Sequence, residues 1–336
     1  MGKVAVIILN WNGEALLRRF LPSVVRNTPS ELGTVIVVDN HSEDNSVEFM
    51  RKEYPEVELL CLDDNYGFAG GYNRAIEQIE AEYVLLLNSD VEVEHGWLQP
   101  LVKVLDEQPE VAAVQPKLKS WNHREYFEYA GASGGYIDKY GFPFCRGRIL
   151  KEVEKDKGQY EDEVAVFWCS GAALCVRREV YLACGGLDVR FFAHMEEIDL
   201  CWRMQNAGYT LKVVPASVVY HLGGGTLPMN HPGKLFLNYR NNLLMLYKNL
   251  GKKEYKRVMR MRRMLDSVAG IIFFLKGEFT NAGAVYRAYR SFHDMKKYYL
   301  QTERGNKLSA VYPRSIIYDF FCKRLRTFSL LLSYWK

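Results

Sequence analysis

In the stretch Tyr83–Val93, YVLLLNSDVEV, an apolar run ends on Asn88, Ser89 and Asp90. Without polar alternation it reads as a strand buried on both faces, as in a parallel sheet covered by helices. Working outward, Val4–Leu9, Thr34–Val38 and Val57–Leu62 are similar β-branched runs, and helix-patterned segments lie between these three. Alternating strands and helices predict a mainly parallel α/β sheet flanked by helices on both faces. Ligands of such sheets collect at the carboxyl ends of the strands. The residues there are Asn10-Trp11-Asn12, Asp39-Asn40, Asp63–Gly71 and Asn88-Ser89-Asp90.

From Ser120 to about Glu163 the pattern breaks into Gly-, Tyr- and charge-rich sequence, which predicts long loops or an irregular hairpin of the kind that is often functional. Periodicity returns over Ala165–Val176. It continues with a helix over Glu196–Ala207 ended by Gly208, and with strands over Thr210–Val214 and Ser217–Tyr220. Beyond about Gly251 the chain reads as helical, basic and aromatic, so two regions are expected: a catalytic domain over 1–250 and a basic extension over 251–336.

The 336 residues carry 44 Lys/Arg and 40 Asp/Glu, and 48% are hydrophobic, enough for a substantial core. The charge is unevenly placed. Residues 251–336 are +13 and residues 1–250 are −9, which suggests an acidic body joined to a segment that seeks an anionic surface. Seven cysteines without a C-x-x-C pair point to a reduced, cytoplasmic setting. No secretion signal is recognisable, and the uncharged runs of the tail are much shorter than the roughly 20 apolar residues a membrane-crossing helix needs. Attachment to a membrane is therefore expected to be peripheral.

Four constellations carry chemistry. Asp39 ends the second strand, where an acid can accept hydrogen bonds from a base edge or ribose or can simply cap the next helix. Asp90 ends the fourth, where oxygen ligands can hold a divalent cation against a diphosphate. FFAHMEEIDLCWRMQNAGY places Glu196, Glu197 and Asp199 in a first helical turn, and spacing does not choose which of them is a general base. His221 ends a strand in VVPASVVYHLGGGT, beside glycines, and imidazole is a common ligand for manganese-like metals. VIILNWNG stands where a G-x-G-x-x-G dinucleotide fingerprint would be, which argues against an oxidoreductase.

In this order the pieces resemble the inverting family 2 glycosyltransferases of GT-A fold, and most closely their rhamnosyltransferase-like branch of bacterial surface-polysaccharide enzymes. The strings are VIILNWNG, VVDNHSEDNS, NYGFAGGYNRAI, LLLNSDVEV, WCSGAALCVRREVY, GGLDVRFFAHMEEIDLCWRMQNAGY and VVYHLGGGT, over roughly residues 3–250. The resemblance implies a Rossmann-like GT-A domain and a UDP- or dTDP-sugar donor. It implies that Leu9 and Trp11 meet the base, that Asp39 is the base-binding acid, and that Asn65, Gly71 and Asn73 belong to the nucleotide loop. Asn88-Ser89-Asp90 matches the D-x-D motif, with Asp90 on the metal and Asn88 on the diphosphate, and His221 matches a further metal ligand. Glu196-Glu197-Ile198-Asp199 matches the catalytic acidic motif, with Glu197 at the base position, while Asp188 is positional. The expected cofactor is Mn2+ or Mg2+. The expected partners are the donor, a lipid-linked glycan acceptor and the anionic inner face of the cell membrane, and no nucleic acid. A noncatalytic nucleotide-binding scaffold is the competing reading, and turnover of a donor separates the two.

Overall fold

The computed structural model describes residues 2–223, 232–301 and 308–335. Strands β1 (Val4–Asn10), β2 (Gly33–Asp39), β3 (Glu58–Cys61) and β4 (Tyr83–Asn88) follow the four apolar runs and lie parallel. The chain adds β5 (Val91–Val93), β6 (Val111–Ser120), β11 (Val164–Ala165), β12 (Ala173–Arg177) and β13 (Thr210–His221) to the same sheet, whose order is β11-β13-β6-β12-β4-β1-β2-β3 with β5 on β13. Here β12 and β11 run antiparallel to their neighbours, and β13 runs parallel to β6. From β1 the chain fills one side of the sheet and then turns to the other at β4, so a crevice opens at the carboxyl ends of β1 and β4. Register sets Leu9 beside Val38 and Asn88, and Asn10 beside Asp39, on its floor.

Helices α1 (Glu14–Asn27), α2 (Ser46–Glu53), α3 (Gly67–Gln78), α4 (Leu98–Glu107), α5 (Arg178–Ala183) and α6 (Glu196–Asn206) cover the sheet. Two buried clusters, one on each face, explain why β1 and β4 lack polar alternation. The two strands expected at Thr210–Val214 and Ser217–Tyr220 are one. Pro215, which has no N–H to donate, interrupts β13, and its pairing with β6 shifts between Val214 and Val218.

Instead of loops or a lone irregular hairpin, the region after Ser120 builds a second small sheet from β7 (Gly135–Asp138), β8 (Pro143–Cys145), β9 (Arg148–Ile149) and β10 (Glu152–Val153). The late strand β14 (Val311–Tyr312) joins it beside β7. Beyond α7 (Pro232–Asn249) come α8 (Lys252–Leu275), α9 (Phe279–Met295), α10 (Ile316–Phe321) and α11 (Phe328–Leu332). The end of the chain is therefore built into the body. Tyr312, Ile316, Phe320, Phe328 and Leu331 are buried in the cluster that contains α3 and α6, and Trp335 packs against Tyr136, Phe144 and Tyr312. Phe328 and Trp335 of the terminal KRLRTFSLLLSYWK, read from sequence as surface-seeking, find partners on β7 and β8 instead.

Candidate active site

Three corners of the crevice hold the residues singled out in the sequence. At the first, Asn10 Nδ2 donates to Asp39 Oδ1 at 3.2 Å and the backbone N–H of Ser42 donates to Asp39 Oδ2 at 2.9 Å. Asp39 thus ties the loops after β1 and β2 together and is not the cap of α2, which begins at Ser46. Trp11 projects from the end of β1 with 55% of its surface exposed, an unusual setting for an indole unless something stacks on it. Gly71 lets α3 approach β1, since a Cβ there would lie 2.7 Å from Leu9 Cδ1.

Two residues expected in the nucleotide loop have their side-chain oxygens engaged inside the protein. Asn65 Oδ1 accepts from Gly67 N and from Asn40 Nδ2, both at 2.9 Å, which shapes the entry to α3. Asn73 Oδ1 accepts from Tyr181 Oη at 2.6 Å and Leu187 N at 2.9 Å while its Nδ2 donates to Leu187 O, so it locks α3 to the segment before Asp188. Its place is that of a strut between α3 and that segment.

The second corner is made by sheet register. β5 pairs with the end of β13, Leu222 N donates to Asp90 O, and His221 Nε2 lies 3.1 Å from Asp90 Oδ1 and 3.4 Å from Asn88 Nδ2. Ser89 lies in the turn between β4 and β5. On the far side of the imidazole, Glu128 Oε1 is 3.4 Å from Nδ1, and Glu128 is anchored by Ala130 N donating to Oε2. Asp90, His221 and Glu128 are all buried. Burial alone would lower the imidazole pKa, but the two carboxylates outweigh it and raise it to about 10; burial would raise Asp90, yet His221 holds it below the usual range. Among the described residues no three acidic, His or Cys side chains form a closed metal cage. Of the glycine-rich turn after His221, Gly223 is described, and Gly224, Gly225 and Thr226 lie outside the described residues.

The third corner is the first turn of α6. Here the sequence candidates separate. Asp199 is fully buried; its Oδ2 accepts from Arg203 Nε at 2.9 Å and Lys248 Nζ at 2.7 Å, and its Oδ1 from Asn249 Nδ2 at 2.8 Å. With those bonds made it is an anchor for α7, which corrects its candidacy as a base. Asp188 shares Lys248 at 2.6 Å and accepts from Arg190 N, the positional role expected of it. Glu196 and Glu197 each keep one carboxylate oxygen without a hydrogen-bond partner. Burial, then the neighbouring Glu197, drives the Glu196 pKa well above the carboxylate range, and burial raises that of Glu197 to about 7 against the pull of nearby backbone N–H groups. Glu196 is buried, whereas Glu197 is partly exposed with its unpartnered Oε2 turned inward.

Glu197 packs its stem beside Gly171. A Cβ on Gly171 would sit 3.6 Å from Glu197 Cβ, and the next residue, Ala172, accepts through its carbonyl from Asn88 N at 3.0 Å. The segment Gly171-Ala172 therefore lies beside both the Glu197 stem and the end of β4. The approach to α6 is strained: Phe192, His194 and Met195 have φ of 67°, 69° and 75° without being glycine. Asn241 Nδ2, on α7, lies 2.8–2.9 Å from the carbonyls of Phe191, Ala193 and His194 and holds this path, helped by Arg240 on the Phe191 carbonyl. Sequence reasoning missed Glu128, Gly171 and Asn241. None stands in a local pattern, although WCSGAALC marked the segment that holds Gly171.

The comparisons agree with this architecture. A family model described as glycosyl transferase family 2 matches residues 5–181. An N-acetylglucosaminyl-diphospho-decaprenol L-rhamnosyltransferase of Mycobacterium tuberculosis (strain CDC 1551 / Oshkosh) is 26% identical over 230 residues, 64% of this chain and 75% of the relative. The rhamnosyltransferase WbbL of Escherichia coli (strain K12) is 23% identical over 259 residues, 74% of this chain and 93% of the relative. A crystal structure of GalNAc-T7 with UDP, GalNAc and Mn2+ superposes with a TM-score of 0.59 at 17% identity, covering 76% of this chain and 49% of that one, and shares the fold. Matched by the family model over more than half its length, the chain belongs to glycosyl transferase family 2.

Proposed function

We propose that this glycosyltransferase moves a sugar, with inversion, from a UDP- or dTDP-sugar to a hydroxyl of a lipid-linked glycan in cell-surface polysaccharide synthesis. The observation that carries the reading is the Glu197 side chain, partly exposed, with one carboxylate oxygen lacking a hydrogen-bond partner and a pKa raised by burial to about 7, whose stem lies beside Gly171, the neighbour of the Ala172 that bonds the end of β4 at Asn88. A base of that strength suits proton removal from an alcohol at neutral pH. Glu197 takes the acceptor proton as the oxygen bonds to the anomeric carbon, and the bond from that carbon to the diphosphate breaks in the same displacement. Trp11 and Leu9 bound the base, Asp39 orders the loops that receive it, and Asn88 contacts the diphosphate.

Asp90 and His221 fit a divalent cation, Mn2+ or Mg2+: a carboxylate oxygen and an imidazole nitrogen 3.1 Å apart, buried, with phosphate oxygens free to complete the shell. Such an ion supplies positive charge to offset that of the departing diphosphate. The GalNAc-T7 structure holds Mn2+ with UDP, and the mycobacterial relative is named for a decaprenol-linked diphosphosugar, which supports the metal and the lipid-linked acceptor. Among the described residues no helix is long and apolar enough to cross a membrane, so the basic C-terminal region would hold the enzyme peripherally on the inner, anionic face of the cell membrane. A screen of nucleotide sugars for release of nucleotide diphosphate, with Mn2+ or Mg2+ present, tests the reading. Release from one donor class that stops on chelation is expected; binding of donors without turnover would leave the scaffold reading.

A further inference from the structure

Resting on the peripheral-membrane reading, we propose that the α8–α9 hairpin is the membrane-docking element, its turn inserting into an anionic bilayer while the first half of α8 lies at the headgroups. One face of α8 carries the argument. Lys253, Arg257 and Arg260 occupy it near the start and Met264, Val268, Ile271 and Leu275 near the end, spaced three or four residues apart and all exposed. Leu275 and Ile271 expose 78% and 58% of their surface, and Phe274 and Phe279 flank the turn at 60% and 62%. The opposite face packs inward through Val258, Met259, Arg262 and Asp266.

Exposed apolar residues of this size in one contiguous stretch mark a surface that meets something apolar. Charge selects which. From Ser267 to Tyr286 the charged residues are Lys276 and Glu278, and beyond this tip stand Arg260 and Arg263 on one stem and Arg287 and Arg290 on the other, all exposed. Basic stems around an apolar tip complement an anionic headgroup layer over hydrocarbon. The dimensions agree: at 1.5 Å per residue, Val268 to Leu275 spans about 10 Å, the depth to which interfacial helices sink. The hairpin is also fixed to the body, because Arg262 Nη1 donates to Asn242 Oδ1 at 2.5 Å and to Tyr140 O at 3.2 Å, and Tyr289 Oη donates to Asp266 Oδ2 at 2.7 Å. Since α7 carries both Asn242 and the Asn241 that holds the approach to α6, seating the tip fixes how the crevice meets the bilayer.

The test is flotation of the full chain with vesicles of phosphatidylcholine, alone or with one third phosphatidylglycerol. The parent should bind the anionic vesicles and release with salt. The combined variant Ile271→Ser, Phe274→Ser, Leu275→Ser should bind roughly tenfold less or weaker still, with melting temperature and donor turnover unchanged. Leu275→Trp should give a blue-shifted emission quenched by brominated lipid. Parent binding that the triple variant leaves intact would overturn the hairpin and keep the membrane reading. A parent that ignores anionic vesicles overturns both, while donor turnover reports separately on the transferase. A dimer of the parent that the triple variant dissolves, without vesicle binding, assigns the surface to a second copy and overturns the proposal.

Discussion

Glu197 and Glu196 are neighbours with different surroundings, and at this scale the chemistry divides. Two adjacent carboxyls with raised pKa values share their titration, so their ionisation belongs to the pair, and the proposal that Glu197 meets the acceptor rests on its partial exposure beside a buried Glu196. Glu197→Gln should keep donor binding and lower kcat by roughly 10²-fold or more, and the acid limb of kcat/KM, falling below a pH of about 7, should disappear with it. Steady-state rates across pH check this, and normal turnover would place the base elsewhere. Stability moves the opposite way from a salt-bridged acid. A carboxyl whose pKa rises from 4.5 to about 7 on folding holds its proton more tightly when folded, so its contribution is lost as pH rises through that window. Glu197→Gln should therefore melt above the parent beyond pH 7 and lose the advantage in acid.

The metal corner gives a second residue-level prediction. Asp90→Ala should abolish Mn2+ binding, measured by calorimetry, and turnover with it, while chelation should silence the parent. Glu128→Gln should weaken Mn2+ binding by about 10–100-fold, as changes behind a ligating imidazole do. That Asp90 and His221 meet at strand ends was legible because each follows an apolar run. Glu128 was not, because it reaches His221 through a turn after β6 that no periodicity announces. Spacing did not separate Asp199 from Glu196 and Glu197 for a related reason: beyond the local Arg203, its partners Lys248 and Asn249 are supplied from nearly fifty residues downstream.

Among the elements, the pairing of α6 with α7 determines the site's rigidity. Lys248 of α7 bridges Asp188 and Asp199, and Asn241 restrains the left-handed path into α6. The strain at Phe192, His194 and Met195 persists because this neighbour fixes it. Lys248→Ala leaves two poorly solvated carboxylates short of a cation and should cost about 3–5 kcal/mol, read by denaturant unfolding. Loss of turnover without loss of stability would instead place Lys248 in contact with substrate. The four parallel strands were legible because a doubly covered strand must be apolar throughout. The bulge in β13 and the second sheet were not: Pro215 falls in the gap between the two strands read from sequence, and strands of two to four residues leave too little pattern to read.

For the whole molecule, the boundary expected near residue 250 separates charge but not structure. The +13 balance of the last 86 residues is correct as composition, yet that segment divides between an outward hairpin and a returning strand and helices that complete the core. The distinction is invisible in a charge count, because basic side chains can lie on a solvated face while aromatic ones between them point inward. In the core, Ile316 N donates to Asp138 Oδ2 at 2.9 Å and Phe328 N to Glu154 Oε1 at 2.9 Å, so the chain's end satisfies acids of the second sheet. That sheet is continuous with the turn that carries Glu128, which links the last residues to the corner of Asp90 and His221. Phe328→Ala empties a fully packed ring site against Tyr136, Phe144 and Tyr160 and should cost about 3–5 kcal/mol. Truncation at Gly251 should do more, giving a body with its second sheet uncovered that aggregates instead of merely leaving the membrane. Calorimetric melting of Phe328→Ala beside the hairpin variant Ile271→Ser, Phe274→Ser, Leu275→Ser separates the two halves of the tail: the first should fall in melting temperature with vesicle binding kept below the transition, and the second should do the reverse. A truncated chain that melts cooperatively near the parent's temperature would show that the body closes its core without the returning segment.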